Sequence, residues 1–400
     1  TSTSTSTSSS SRSSIAISIQ DHAVLTTPML HHIVLHSNPN PFLPSYIAPK
    51  PTRRGYIQTY AKAYIDLVQD LAVVVGSSAS ATSTSQSEQG QGQVRVDSAC
   101  GVGYHAVQEL NEEIHKLGTT SKHTSLSSSS SSSFNAENGP GDGPLNDHCG
   151  SDHVKTLFQP PIWWKKNNNK STNDDNEHEP DHDDHDYEYP YCCSLDGDAD
   201  RIIFFGQQSK RELTHFLDGD KIAILIAHVL QQKMKKLQNN NNNNNNTITM
   251  GIVQTAYANG AATKYVQEVL QLPVLITKTG VKHLHHAAVT NFDIGIYFEA
   301  NGHGTVVFSK HYEHFAIRMM QQQQHSDSFF VKLHRLINPA VGDALCDMLL
   351  VDYLLRSLAA GNNNDTDTAE TETDDSSHSH SNSTTLSSSS SSSSSWTLQE

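Results

Sequence analysis

The run Asp196-Gly197-Asp198-Ala199-Asp200-Arg201 sets carboxylates two residues apart with only Gly and Ala between them, and Ile202, Ile203, Phe204 and Phe205 follow at once. Like charges packed this tightly repel one another unless a cation neutralises them. Oxygen-only donors select a hard ion, and Mg²⁺ accepts carboxylates together with phosphate oxygens. Arg201 adds a forked, permanently charged donor for phosphate or carboxylate beside them. The apolar run after it reads as a buried strand. The local chemistry is metal-assisted phosphate work.

Other readings of the same run fare worse. A calcium EF-hand needs Gly at its sixth position and Glu at its twelfth, and those positions hold Arg201 and Gln207. An aspartyl-phosphate phosphatase places Asp-x-Asp after a long apolar strand, whereas Tyr191, Cys192, Cys193, Ser194 and Leu195 make a poor strand core. A solvated acidic turn rarely alternates so regularly before entering a strand.

A second constellation lies further on. Phe292 to Phe298 is an apolar strand pattern that runs into Glu299-Ala300-Asn301-Gly302-His303-Gly304. Glycine-rich loops after buried strands often carry function. Here a carboxylate and an amide offer acceptors and donors for vicinal sugar hydroxyls, with Ala300 between them and His303 beyond. Before that strand, Thr279-Gly280-Val281-Lys282-His283 opens a predicted helix, where Lys282 and His283 suit an anion. His285 and His286 read as solvent-facing, and no Cys or acid completes a zinc spacing around them. The His178–Asp186 cluster sits in a polar stretch and reads as incidental. Asp218-Gly219-Asp220 reads as a helix start, with Asp220 as the cap.

Taken together, these segments resemble the α-D-phosphohexomutases, and within them the phosphoacetylglucosamine mutase branch, which carries Glu-Ala-Asn-Gly-His-Gly where most relatives carry a Gly-Glu-x-Ser-Gly loop. Further similar blocks are Leu25–Pro28, Val96-Asp97, Gly101–Gly103, Cys149-Gly150, Leu217–Lys221, Gln254–Gly260 and Ala340–Ala344. The resemblance implies interconversion of N-acetylglucosamine 6-phosphate and 1-phosphate through a phosphoserine and Mg²⁺, a step towards UDP-N-acetylglucosamine. It assigns Asp196, Asp198 and Asp200 to the metal and Arg201 to catalysis. Glu299, Ala300, Asn301, His303, Lys282 and His283 fall to the amino-sugar phosphate. The family's Thr-Ala-Ser-His-Asn-Pro serine loop and Arg-Pro-Ser-Gly-Thr-Glu phosphate loop do not occur as strings in this sequence. The expectation is a fragment, inactive alone. The competing expectation is a non-catalytic sugar-phosphate binder or a partner subunit.

Composition narrows the field. The net charge is −15 with no basic patch, which argues against nucleic acid and anionic membrane as partners. No apolar run approaches the roughly 18 residues of a membrane span. The N-terminus lacks the charged region and apolar core of a signal peptide. The 5 cysteines at irregular spacing suggest reduced thiols with structural roles in a cytoplasmic protein. A monomer is expected.

The elements that must position these loops alternate. Helices are expected over Met29–Leu35, Tyr56–Val75, Tyr104–Leu117, Lys221–Leu237, Ala261–Leu270, Lys282–Thr290 and Leu333–Leu358. Strands are expected over Ile15–Ile19, Val94–Asp97, Ile248–Val253, Val274–Thr277, Asp293–Phe298 and Thr305–Phe308. Gly101 and Gly103 form a tight turn rather than a dinucleotide loop. This is an α/β chain with mixed sheets between helices. The expected organisation is a Ser/Thr tract at 1–14, a remnant of a first domain at 15–52, a second domain with the metal loop at 53–238, a third with the sugar loop at 247–360, and an acidic, Ser-rich linker at 361–400. Ser127–Ser133, Asn167–Asp186, Asn239–Asn246, Gln321–Gln324 and Ser387–Ser395 read as disordered.

Overall fold

The computed structural model describes residues 21–37, 49–78, 93–120, 133–162, 189–207, 213–240, 248–322 and 329–366. The expected strand Ile15–Ile19, the tracts 1–14 and 167–186, most of the Asn and Ser runs and the segment after 366 lie outside them.

The chain opens with α1 (Thr27–Ser37) and α2 (Arg53–Ser78). A first sheet follows from β1 (Gln93–Asp97), β2 (Ser133–Glu137), β3 (Tyr189–Leu195), β4 (Ile202–Gln207) and β5 (Leu213–Leu217), in the order β2-β1-β3-β4-β5. β1 runs parallel to β2 and β3, while β3–β4 and β4–β5 are antiparallel. Helices α3 (Gly103–Thr120) and α4 (Ser151–Leu157) belong to this half.

Helix α5 (Gly219–Asn240) leads into the second sheet. That sheet holds β6 (Met250–Thr255), β7 (Val274–Thr277), β8 (Ile294–Phe298) and β9 (Gly304–Phe308), in the order β7-β6-β8-β9. Only the β8–β9 pair is antiparallel. Between strands lie α6 (Gly260–Lys264), continued by a π turn over Tyr265–Val269, and α7 (Val281–Asn291). Helices α8 (Lys310–Gln322), α9 (Phe329–Leu336) and α10 (Ala344–Thr366) close the described chain.

Side chains on successive residues of a strand face opposite sides, and β4 obeys this cleanly. Ile202 and Phe204 enter the main core, while Ile203 and Phe205 pack with Val154 and Cys192 under α4. The main core draws on both sheets and on α2, α5, α9 and α10. A smaller cluster of Val253, Leu284, Ala288, Tyr297 and Val307 seats α7 on the outer face of the second sheet. Burying each such large side chain contributes about 1.5–3 kcal/mol. Among the described residues no helix is long and apolar enough to cross a membrane.

Three expectations need correction. Tyr189–Leu195 is a strand after all, because β3 lies between β1 and β4 and is covered on both faces, which suits small Cys and Ser side chains. The last helical region is broken. The segment from Ile337 to Asp343 separates α9 from α10, and Asn338 and Asp343 bond to each other inside it at 2.8 Å. Three homopolymer tracts overlap regular structure: Ser133 starts β2, Asn239 and Asn240 finish α5, and Gln321 and Gln322 finish α8.

Candidate functional site

The triple-aspartate loop is the turn between β3 and β4, where Leu195 pairs with Ile202. Its backbone folds on its own carboxylate. Asp196 Oδ1 accepts the Asp200 and Arg201 amides at 3.0 and 3.1 Å, and Oδ2 accepts Arg201 Nε at 2.7 Å. Ala199 takes a positive φ of 60°, a strained conformation for a residue with a side chain. One carboxylate oxygen from each of Asp196, Asp198 and Asp200 falls within 4.8 Å of the other two. That hard, all-oxygen donor set fits a small divalent cation.

Other elements hold the loop from outside. Thr27, at the start of α1, donates from its hydroxyl to Asp198 Oδ2 at 2.6 Å and from its amide to the Asp198 carbonyl at 3.1 Å. Asp152 on α4 accepts Arg201 Nη1 at 2.6 Å. One turn on, Lys155 reaches Asp218 at 2.6 Å, so α4 braces both the metal loop and the start of α5. The loop after β1 lies beneath: Val102 donates to the Gly197 carbonyl at 3.0 Å, and any Cβ on Gly101 would run into that carbonyl. This is the close approach for which the Gly101–Gly103 turn exists.

The Glu299 loop joins β8 to β9 and lies against the metal loop. Ile202 donates to the Gly302 carbonyl at 3.3 Å, and His303 Nδ1 stands 3.3 Å from Asp200 Oδ2. Gly302 has a φ of +89° and would drive a Cβ into the Ile202 carbonyl. Inside the loop, Gly302 donates to the Glu299 carbonyl at 2.9 Å, and Asn301 Oδ1 accepts the His303 amide at 3.1 Å. Glu299 Oε1 accepts the Gly280 amide at 3.1 Å, which brings the α7 start alongside. Lys282 and His283 are exposed there. The sequence-derived residues therefore gather in one place: Asp196, Asp198, Asp200, Arg201, Glu299, Ala300, Asn301 and His303 on two touching loops, with Lys282 and His283 on the segment that Glu299 tethers.

The charges respond to one another. Burial raises Asp196 above the usual carboxylate range, and the neighbouring Asp200 pushes it further, against Arg201. Burial also works against the charge of Asp200, but the bond and charge of His303, together with Asp196 and Arg201, outweigh it and hold this carboxyl low. For His303, burial disfavours the charged ring, but the bond to Asp200 and the charges of Asp200, Glu299 and Asp196 together override it, so its pKa is raised. The loop concentrates negative charge that one Arg and one His only partly balance, and a cation is what such a loop favours.

Two roles differ from expectation. Asp218, not Asp220, caps α5 by accepting the Lys221 amide at 3.2 Å; Asp220 instead accepts the Asn259 amide at 2.8 Å. His285 is half-buried rather than solvent-facing, with Nδ1 3.0 Å from the Tyr297 hydroxyl, while His286 is exposed. Sequence reasoning missed Thr27 and Gly219 as site residues, although both sit in blocks that carry the resemblance; any Cβ on Gly219 would meet the Glu299 carbonyl. Asp152 and Lys155 had no signal beyond their spacing of three on a short helix.

Comparison with known proteins bears on the family and the fold. Residues 218–359 match the family model described as phosphoacetylglucosamine mutase AMG1, domain III. The chain is 33% identical to the Homo sapiens phosphoacetylglucosamine mutase over 339 residues, covering 84% of this chain and 51% of that protein. The Candida albicans phosphoacetylglucosamine mutase is 36% identical over 341 residues, with 83% and 51% covered. The resemblance to the phosphoacetylglucosamine mutases holds. The chain spans about half the length of these curated relatives. Among solved structures, an apo N-acetylglucosamine-phosphate mutase of the α-D-phosphohexomutase superfamily superposes with a TM-score of 0.60 at 35% identity, covering 84% of this chain and 53% of that one. The Aspergillus fumigatus N-acetylphosphoglucosamine mutase, solved with GlcNAc-6P and magnesium, gives a TM-score of 0.58 at 32% identity, with 84% and 56% covered. The two mixed sheets with their helices are thus the phosphohexomutase fold.

Proposed function

We propose that this chain supplies the metal loop and the sugar loop of a phosphoacetylglucosamine mutase, which interconverts N-acetylglucosamine 6-phosphate and 1-phosphate in the cytoplasm on the way to UDP-N-acetylglucosamine. The observation that carries this reading is the contact of the two loops, Asp200 with His303 and Ile202 with Gly302.

In this reading Asp196, Asp198 and Asp200 hold Mg²⁺, whose chemistry is to neutralise charge on a phosphoryl group in transfer. Arg201 is aimed by Asp196 and Asp152 and presents its remaining donors to phosphate oxygens. Glu299 accepts from sugar hydroxyls, Asn301 both accepts and donates, and Ala300 keeps the space between them narrow. His303 donates from the nitrogen that Asp200 does not engage. Lys282 and His283 receive the phosphate at the far end of the sugar, at a helix start that favours anions. The relevant partner is this small amino-sugar phosphate, and the working unit is a monomer.

Two-step phosphoryl transfer needs a nucleophile that carries the group. None of the residues gathered here fills that role, and the family's serine string does not occur in the sequence. We assign the present loops to binding and charge stabilisation. Calorimetric titration tests the reading: N-acetylglucosamine 6-phosphate should bind in the presence of Mg²⁺ and lose most of its affinity in Glu299→Ala. Equal binding by both proteins would remove the sugar-loop assignment.

A further inference from the structure

All 5 cysteines are free and buried, and one pair stands apart. Cys100 Sγ and Cys149 Sγ lie 4.0 Å from each other. The others are separated by the fold. Cys192 and Cys193 face opposite sides of β3, and Cys346 donates to Asp343 at 3.2 Å.

Both loops that carry the close pair are pinned to one carboxylate. Asp97 Oδ1 accepts the Ala99 amide at 3.0 Å, and its Oδ2 accepts the Gly150 amide at 2.7 Å. Ala99 and Cys100 both adopt φ of 54°, two consecutive left-handed residues that are not glycine. Strain of this kind persists only where the surroundings enforce it. The same loop supports the metal loop through Val102 and Gly101 against Gly197, with no room for even a Cβ.

We propose that Cys100 and Cys149 form a dithiol site that closes to a disulfide under peroxide, and that closure loosens the triple-aspartate loop seated on Gly101. A disulfide needs its sulfurs about 2 Å apart, so the pair must close by a similar distance. The loop is packed against Gly197, so that displacement is passed to the β3–β4 turn.

The chemistry balances with peroxide as the oxidant. Cys100, the less buried of the two, attacks one peroxide oxygen as its thiolate. The O–O bond breaks, hydroxide leaves and a sulfenic acid forms. Cys149 sulfur then attacks the sulfenic sulfur, the S–O bond breaks, and the thiol proton leaves with the oxygen as water. Burial pushes both thiols up, so the reaction waits on local opening and runs slower than at an exposed cysteine.

The test treats the folded full chain with hydrogen peroxide and maps disulfide-linked peptides by mass spectrometry. It then follows amide exchange over residues 196–202 before and after, and again after reduction with dithiothreitol. The expected result is one linked pair, Cys100 with Cys149, severalfold faster exchange over 196–202, and reversal by the reductant. Cys100→Ser, checked for native circular dichroism, should show neither change. Free thiols throughout, or linkage spread over other cysteines in a chain still folded, would overturn the site. The expected link with unchanged exchange over 196–202 would overturn its coupling to the metal loop.

Discussion

His303 Nδ1 stands 3.3 Å from Asp200 Oδ2, so the last carboxylate of the metal loop is held by the sugar loop. These residues lie on loops at the ends of different sheets, and the backbone bond from Ile202 to Gly302 ties the two loops beside them. In the proposed reading, ligand and cation would therefore act on neighbouring, mutually supporting loops. Replacing His303 with Ala should weaken Mg²⁺ binding as well as sugar-phosphate binding, each by several-fold. Calorimetry with each ligand alone checks this, and loss of only one affinity would separate the loops functionally.

Gly302 is where the two loops come closest. At a φ of +89°, a side chain there costs about 1–2 kcal/mol in backbone strain alone, before the clash with the Ile202 carbonyl. Gly302→Ala should lower the urea-unfolding free energy by at least about 2 kcal/mol. A change within experimental error would mean that the loops do not meet as described.

The junction between α2 and the start of α10 is buried and polar. The Tyr56 hydroxyl donates to Asp343 at 2.7 Å, and Asn338 donates to the same carboxyl. Tyr56→Phe removes one donor and leaves the carboxyl with its remaining partners, so the expected loss is about 1–3 kcal/mol. Chemical denaturation of both proteins at neutral pH gives the number.

How much of this was legible in advance depends on the distance along the chain. Asp196 to Arg201 and Glu299 to His303 are local runs, so alternation and glycine spacing exposed them. Thr27 bonds to Asp198 across 171 residues, and Lys155 to Asp218 across 63, distances over which no periodicity carries information. β3 was misjudged because Cys192, Cys193 and Ser194 look weak by propensity, yet a central strand is defined by what covers it. The break before α10 was missed because Leu333 to Leu358 is apolar on both sides of Asn338, and the Asn338–Asp343 bond that stabilises the turn is invisible to a hydrophobic pattern.

Acid should destabilise the chain through His32. Burial lowers its pKa from 6.5 to about 4, against a bond to the Lys50 carbonyl. Above pH 6.5 the ring is neutral in folded and unfolded chains and pH has no leverage. Between 6.5 and 4 the unfolded chain takes up a proton that the folded one refuses, so stability falls as pH falls, by up to about 1.4 kcal/mol per unit. Urea midpoints at pH 7 and pH 5 should differ less in His32→Gln than in the parent. An equal difference would show that His32 is not the group responsible.

The central claim is that these loops are the metal and sugar half of an amino-sugar phosphomutase. The most direct measurement is conversion of N-acetylglucosamine 6-phosphate to the 1-phosphate. It would be followed for the 400-residue chain and for a version joined to a relative's serine loop and phosphate loop. The account predicts no turnover by the chain alone, turnover by the joined version with Mg²⁺, and loss of most of that rate in its Asp196→Asn form. Turnover by the chain alone, or undiminished turnover in the Asp196→Asn form, would contradict it.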